Sequence, residues 1–307
     1  MRERVVLAST EMQPLSGMLV VDFSRYLPGA FASRELLELG ARVVCVEPPG
    51  GDPMRGAAPA WDAALRTGKE SLELDLKDDP ASALELLAKA DVVLESFRPG
   101  VASRLGIGPE SVPERTVYCS ITGFGRGGRH EQRAGHDLNY LGWAGVLWDT
   151  APAWPPVQIA DLAAGALGAV TKILAALLER DRTGRGGHIV VSMTHGSHRL
   201  VAHRLGGDAV PRALTGGLAF YRIYETADGR HLTVGALEPV FARRLTELLG
   251  RPELAERALD ADQAGLASEL AEIFATRPLR DWLELFAAED VCVGPVATIA
   301  EAATDFG

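Results

Sequence analysis

The chain has 307 residues, of which 47% are hydrophobic and 23% are charged, so length and composition predict a folded protein of about two domains. Its 31 basic and 41 acidic side chains give a net charge of −10, which argues against broad attraction to nucleic acid or to an anionic membrane. Three scattered cysteines are too few for a disulfide framework or a zinc site, and the charged N-terminus lacks the apolar stretch of a signal peptide. We therefore expect a cytoplasmic location.

The first half of the sequence alternates predicted strands with predicted helices. A strand at 18–24, a turn at 27–30, a helix at 31–40 and a strand at 42–47 form one βαβ unit. The remaining predicted elements of this half are strands at 71–76, 91–96, 116–123 and 188–193 and a helix at 80–90. The alternation predicts an α/β fold with a Rossmann-like parallel sheet and helices on both of its faces.

A long apolar helix is predicted at about 158–180. Asp161 and Lys172 interrupt its apolar stretch, so we expect a buried helix and not a membrane span. Gly165 and Gly168 each cost roughly 1 kcal/mol inside a helix. We therefore expect another element to approach this helix closely at the two glycines.

The pattern changes after about residue 195. Residues 219–238 predict two antiparallel strands joined at Asp228-Gly229, and helical segments follow over 240–289. This part has α+β character. The predicted domains are a large Rossmann-like domain at 1–205 and a small α+β domain at 206–307.

Dinucleotide and metal sites are both disfavoured. The first strand-to-helix turn holds a single glycine, Gly29, where a dinucleotide fingerprint needs three, although Glu47 ends the second strand as a ribose-binding acid would. His195, His198 and His203 lie close together in sequence, but only the first two have helical spacing and no carboxylate is near them. A chance cluster of surface histidines is favoured over a metal site.

Three short segments carry the candidate chemistry. His136 and Asp137 lie between a glycine-rich loop and an apolar helix, Asp161 lies near the start of the long helix, and Glu238 lies directly before Pro239. An acid near a helix start also interacts favourably with the helix dipole, and proline is common at the first helical position. Taken singly, each position fits a structural role as well as a catalytic one.

Taken together, the segments resemble the class III CoA-transferase (CaiB/BaiF) family, and within it the α-methylacyl-CoA racemases. The resemblance runs from about Met18 to about Ile299 and includes the segments DFSRYLPGAFASRELLELGARVVCVE, DVVLESFRPGVASRLGIGPE, AGHDLNY, QIADLAAGALGAV and YETADGRHLTVGALEPVF. It implies epimerisation at carbon 2 of a 2-methylacyl-CoA, or of a related acyl thioester, by 1,1-proton transfer through an enolate. It implies no cofactor beyond the coenzyme A of the substrate, and no metal.

The resemblance also implies roles for single residues. His136 and Asp161 match the acid/base pair of the racemases, and Glu238 matches a third active-site acid. Asp161 is also the position of the nucleophilic aspartate of the CoA-transferases. Transfer of CoA between carboxylic acids through a covalent Asp161 intermediate therefore stays open, as does acyl-thioester binding without catalysis. The histidine-containing motif is typical of the racemases, and we favour that activity.

The resemblance further implies an interlocked homodimer, in which each active site lies between the large domain of one chain and the small domain of the other. Lys69, Arg98 and Arg66 are the candidate contacts to the CoA phosphates. Backbone N–H groups at the helix starts near Asp137 or Asp161 are candidates for stabilising the enolate oxygen. Compared with the family pattern, the C-terminal residues that normally return to the large domain are missing.

Overall fold

The strands predicted in the first half of the chain form one six-stranded parallel sheet in the computed structural model. They are β1 (Leu19–Asp22), β2 (Arg42–Glu47), β3 (Glu70–Glu73), β4 (Val92–Glu95), β5 (Val117–Thr122) and β6 (Gly187–Ser192). Their order is β3-β2-β1-β4-β5-β6, so the direction of winding reverses between β1 and β4. In open parallel sheets, ligands bind at the carboxyl ends of the strands beside this reversal.

The structure describes residues 12–202 and 213–306. The chain divides into two compact units, Met1–His203 and Arg204–Gly307. The prediction placed the boundary between residues 205 and 206. The first unit holds the parallel sheet and the second holds a small antiparallel sheet. The predicted α/β class, with a Rossmann-like sheet and a smaller α+β part, is confirmed.

Helices lie between the parallel strands and after the last of them. They are α1 (Leu27–Glu38), α2 (Met54–Ala57), α3 (Pro59–Arg66), α4 (Pro80–Leu87), α5 (Val101–Arg104), α6 (Asp137–Trp143), α7 (Gly168–Thr183) and α8 (Met193–Leu200). The prediction of a turn at 27–30 was wrong, because these residues form the first turn of α1. Pro28 suits that position, since the first N–H groups of a helix have no partner within it.

The central strands bury both of their faces, as expected for a parallel sheet covered on two sides. Val20 of β1 and Leu94 of β4 pack into one hydrophobic core with Leu36 of α1. Val21 of β1 packs into a second core with Leu87 of α4. The alternation along each strand thereby holds the sheet between two layers and fixes where its carboxyl ends lie.

A π-helical segment, Ala160–Leu167, precedes α7 and continues into it. A Cβ atom at Gly165 would lie 3.0 Å from Cγ of Met193, so the predicted close approach at this glycine is confirmed. At Gly168 the nearest atom would be 3.8 Å away, which is ordinary contact, so the prediction there was wrong. π-Helical winding inside a longer helix is often found at functional sites.

The helix Ala160–Thr183 is the only one among the described residues that is long and apolar enough to cross a membrane by length and composition. The buried share of its most apolar window is 39%, and Ala169 and Ile173 belong to the core of the first unit. A core helix of a soluble protein passes the same test. The expectation of a buried helix instead of a membrane span stays a prediction.

The second unit contains β7 (Tyr221–Glu225), β8 (His231–Gly235) and β9 (Val293–Pro295), which form an antiparallel sheet in that order. Its helices are α9 (Pro239–Leu248), α10 (Gln263–Phe274), α11 (Leu279–Phe286) and α12 (Ile299–Phe306). The predicted hairpin is confirmed: Gly229 has a φ of 72°, and the N–H of Thr226 donates to the carbonyl of Arg230 at 2.8 Å.

Candidate active site

A cavity of about 500 Å³ lies at the carboxyl ends of β1, β4 and β5. Tyr26 follows β1, Ser96 follows β4 and Thr122 ends β5, and all three line it. His136 and Asp161 line the same cavity. The structure therefore brings the two residues of the predicted acid/base pair to one place, at the edge of the sheet where the fold favours ligand binding.

His136 immediately precedes α6 and is exposed. Its backbone N–H donates to Oδ1 of Asn139 at 3.1 Å, which fixes the chain at the point where the helix begins. The ring of Tyr26 meets the imidazole edge-on, with 6.5 Å between the ring centroids. This arrangement holds the histidine beside the cavity and leaves its imidazole open to a substrate.

Asp161 lies in the first turn of the π-helical segment and is partly buried. Its backbone N–H donates to Oδ1 of Asp137 at 2.9 Å. Burial, together with the negative charge of Asp137, raises the pKa of Asp161 to about 7. Near neutral pH this carboxyl group can therefore either accept or release a proton, as a general acid/base requires.

Tyr140 packs against the loop that leads into His136. A Cβ atom at Gly123 would lie 2.6 Å from the Tyr140 ring, and one at Gly135 would lie 2.7 Å from it. The phenol donates to the carbonyl of Gly135 at 2.5 Å, and burial, with the charge of Asp161, raises the pKa of Tyr140 to about 12. A protonated phenol and two glycines thus hold the backbone that leads into His136. Sequence reasoning missed these roles, although the two glycines were a usable signal.

Glu238 lies in the second unit, immediately before α9, and is exposed. Its backbone carbonyl accepts from the N–H groups of Phe241 and Ala242 at 3.0 Å, which starts the helix. The carboxylate forms no ion pair within the described part of the chain. Its assignment to the active site stays a prediction.

Lys69 makes its hydrogen bonds inside the first unit. Its ammonium group donates to the carbonyl of Ala30 at 2.7 Å and to Oγ of Ser33 at 2.8 Å, and Ser33 in turn donates to buried Asp22 at 2.5 Å. Burial lowers the pKa of Lys69, and the charge of Asp22 partly opposes this effect. The ammonium group therefore compensates a buried carboxylate, and its predicted contact with a CoA phosphate stays a prediction.

Arg66 is surrounded by buried carboxylates. It pairs with Glu47, with Asp62 at 2.7 Å and with Asp52 at 3.8 Å, and its side chain is only 17% exposed. Glu47 also pairs with Arg55 at 2.8 Å. The guanidinium of Arg66 thus stabilises the chain after β2, and its predicted contact with a CoA phosphate also stays a prediction.

Arg98, the third predicted phosphate contact, does line the cavity and is exposed. Sequence reasoning missed two further arginines in the same lining, Arg25 and Arg133. Arg25 lies three residues after the end of β1, so the rule that ligands bind at the carboxyl ends of strands could have identified it. Arg133 lies in an irregular loop, where no pattern in the sequence marks it.

The neighbouring histidines have separate partners. Nδ1 of His195 lies 2.7 Å from Oγ of Ser192, and Nδ1 of His198 lies 2.9 Å from the carbonyl oxygen of Ala144. His203 lies outside the described residues. Over 12–202 and 213–306, no group of three or more His, Cys, Asp or Glu side chains could hold a metal ion.

Comparisons with known proteins identify relatives over nearly the whole chain. The family model of CoA-transferase family III matches residues 15–306. Human alpha-methylacyl-CoA racemase is 37% identical over 94% of this chain and 78% of its own length. Acetyl-CoA:oxalate CoA-transferase of Acetobacter aceti is 33% identical over 94% of this chain and 82% of its own length. The crystal structure of a CaiB/BaiF family protein from Brucella suis superposes with a TM-score of 0.81 at 31% identity, covering 96% of this chain and 86% of that one.

Proposed function

Because the chain belongs to CoA-transferase family III, we propose that it epimerises carbon 2 of a 2-methylacyl-CoA, or of a related acyl thioester, using His136 and Asp161 as the acid/base pair. One group removes the proton from carbon 2, which gives an enolate, and the other returns a proton to the opposite face. Each such group typically contributes about 10²–10⁴-fold to the rate. The supporting observation is that both side chains line one cavity at the carboxyl edge of the sheet.

The enolate oxygen needs hydrogen-bond donors. The backbone N–H of Asp161 is already donated to Asp137, so it does not serve this purpose. The first N–H groups of α6, beside His136, are the remaining candidates of the predicted kind, because the positive end of a helix stabilises a developing negative charge.

CoA transfer through Asp161 is the second candidate, since the relative from Acetobacter is a CoA-transferase. In that reaction the carboxylate attacks the thioester, forms an anhydride and releases the CoA thiolate. A carboxyl group whose pKa is raised to about 7 is partly protonated at neutral pH, and its protonated form is a poor nucleophile. The raised pKa and the imidazole in the same cavity therefore favour proton transfer. A non-catalytic acyl-thioester-binding protein is the third candidate.

The decisive measurement is exchange of the α-proton of a chiral 2-methylacyl-CoA in deuterated water. Epimerisation predicts deuterium at carbon 2 and loss of optical purity. The variant His136→Ala should lose exchange from one enantiomer most strongly, and Asp161→Asn from the other. Absence of exchange, with an Asp161 adduct trapped by hydroxylamine in the presence of acyl-CoA, would instead identify a transferase. Binding with neither result would identify a binding protein.

We further propose that the chain acts as a homodimer and that Glu238 of the partner subunit assists Asp161. Co-expression of His136→Ala with Glu238→Gln tests this arrangement. If Glu238 acts across the dimer, each mixed dimer holds one intact site of two. Since random association makes about half of the dimers mixed, the whole population recovers about a quarter of the activity. If Glu238 acts within its own chain, every mixed dimer has two damaged sites and activity does not return.

A further inference from the structure

Three arginines, Arg25, Arg98 and Arg133, line the cavity that holds His136 and Asp161. None of them forms an ion pair with another residue in the described part of the chain, whereas partly buried Arg66 pairs with three carboxylates. The chain as a whole carries a charge of −10. A concentration of unpaired positive charge in one cavity of an acidic protein indicates that the ligand brings negative charge to it.

The lining offers little internal compensation for this charge. Apart from Asp161, Glu131 is the only acid there, and its carboxylate accepts the backbone N–H of Gly127 at 3.0 Å. Because the pKa of Asp161 is raised to about 7, that residue is only partly ionised at neutral pH. The cavity therefore keeps a net positive charge while the reaction takes place.

The three arginines differ in whether they also line a neighbouring cavity. Arg25 also lines a second, smaller cavity, which lies at the carboxyl ends of β1 and β2 together with Lys77. That is the position where a Rossmann-like sheet binds the nucleotide part of a ligand. Arg133 lines only the cavity of the acid/base pair, and it precedes His136 by three residues. Arg25 is thus the better candidate for the phosphates of CoA, and Arg133 for the acyl group.

Arg133 is also held in place. Its guanidinium carbon lies 5.1 Å from the centre of the Trp143 ring in α6. An arginine stacked on an aromatic face keeps the edge of its guanidinium group free to bind a carboxylate through two parallel hydrogen bonds. A purely apolar acyl chain would gain nothing from this group.

We propose that the acyl group of the substrate ends in a free carboxylate, and that Arg133 binds it. The substrate class is then the 2-methylated thioesters of dicarboxylic acids. This inference rests on the proposed function for the acyl thioester and the reaction. It adds the chemical nature of the far end of the acyl chain.

An arginine in this cavity could meet a carboxylate or a phosphate of CoA, and pantetheine thioesters separate the two because they carry no phosphate. The probes are the 2-methylsuccinyl and the 2-methylbutanoyl thioesters of pantetheine, which differ in the terminal carboxylate. Deuterium exchange at carbon 2 and binding by calorimetry are measured for both. The variants are Arg133→Met and, as a matched control in the same loop, Arg129→Met, whose side chain contacts His130 and does not line the cavity.

We expect the unmodified protein to prefer the methylsuccinyl thioester. In Arg133→Met, exchange and binding of that thioester should fall about 10- to 100-fold relative to the methylbutanoyl thioester, whereas Arg129→Met should keep the original preference. Equal loss of both substrates in Arg133→Met would overturn the proposal, as would the absence of a preference in the unmodified protein. If Arg133→Met changes neither pantetheine thioester, Arg133 does not bind the acyl carboxylate and the proposal is overturned as well. Selective binding of the methylsuccinyl probe without any exchange would support the inference and refute the proposed epimerisation.

Discussion

The electrostatic coupling between Asp137 and Asp161 yields the sharpest prediction. In the unmodified protein the backbone N–H of Asp161 donates to Oδ1 of Asp137 at 2.9 Å. Replacing Asp137 by Asn provides an amide oxygen that can accept the same hydrogen bond, and it removes the negative charge beside Asp161. The fold of the segment should therefore survive, while the cost of ionising Asp161 falls. The variant thus separates the electrostatic effect of Asp137 from its hydrogen bond.

The size of the effect follows from the two causes of the raised pKa. The pKa of Asp161 rises from 3.8 to about 7, and burial is a larger cause than the charge of Asp137. Removing the charge should therefore reverse less than half of the rise, which is at most about 1.5 pKa units, or about 2 kcal/mol. The carboxyl group stays above its ordinary pKa because its burial is unchanged.

The pH dependence of α-proton exchange measures this change. From the enantiomer on which Asp161 acts as the base, the rate rises with pH as the carboxyl group ionises, with a midpoint near 7 in the unmodified protein. In Asp137→Asn that midpoint should move toward lower pH. From the other enantiomer Asp161 acts as the acid, so the exchange rate falls as pH rises and the carboxyl group ionises. The midpoint of this fall should also move toward lower pH in Asp137→Asn.

Exposed Asp181 in α7 provides the matched control, because it belongs to the same helical stretch but does not line the cavity. The variant Asp181→Asn should leave both midpoints of the pH dependence unchanged. A midpoint that stays near 7 in Asp137→Asn, with an intact thermal transition, would refute the claim that Asp137 contributes to the raised pKa.

Three further predictions concern the free energy of unfolding, measured by urea denaturation. Because the folded-state pKa of Asp161 is raised, the ionised group destabilises the fold. The stability of Asp161→Asn relative to the unmodified protein should therefore increase as the pH rises from 4 to 7, and it should reach about 4 kcal/mol above pH 7. A gain independent of pH would contradict this reasoning. Arg66→Met leaves buried carboxylates without their partner and should cost about 3–5 kcal/mol. Its control, Arg42→Met, breaks the exposed ion pair of Arg42 with Glu70 and should cost far less. Equal losses of stability would contradict the claim that burial makes the Arg66 pairs more important. Gly196→Ala places a Cβ atom 2.7 Å from the Cβ atom of Ala164 in the π-helical segment and should cost about 1–3 kcal/mol. Its control, Gly142→Ala in α6, meets no atom within 4 Å and should be neutral or stabilising. The reverse order of the two stabilities would show the packing argument to be wrong.

The parallel sheet could be predicted because its signal is local. Val20, Val43 and Val92 belong to short apolar runs separated by helical patterns, and such runs form the same element in almost any context. The start of α1 was placed too late, since Pro28 is equally typical of a turn and of a first helical turn. The boundary depends on packing that a local pattern does not contain.

The π-helical segment could not be predicted for a similar reason. Gly165 and the apolar residues around it fit an ordinary α-helix equally well. The wider winding accompanies the close packing of Met193 against Gly165 and of Gly196 against Ala164, and both partners come from α8, about 30 residues later in the chain. A sequence window shows one side of this contact at a time.

The candidate site was predicted in part. His136 and Asp161 were identified through the family resemblance, and the fold brings them to one cavity. The surroundings of Arg66 and Lys69 were not foreseen, because their partners Glu47 and Asp22 lie on strands distant in sequence. A basic residue shows its charge in the sequence, but only the tertiary structure shows which acid it neutralises.

The winding of residues 160–167 has a geometric consequence for Asp161. An α-helix turns by about 100° per residue. A π-helical turn holds about one residue more than an α-helical turn. If residues 160–167 kept their number but wound as an ordinary α-helix, the carboxylate would swing by about that angle around the axis of α7 and point away from the imidazole. The direction in which this carboxylate points therefore depends on the pitch of the backbone that carries it, as well as on the presence of an aspartate at that position.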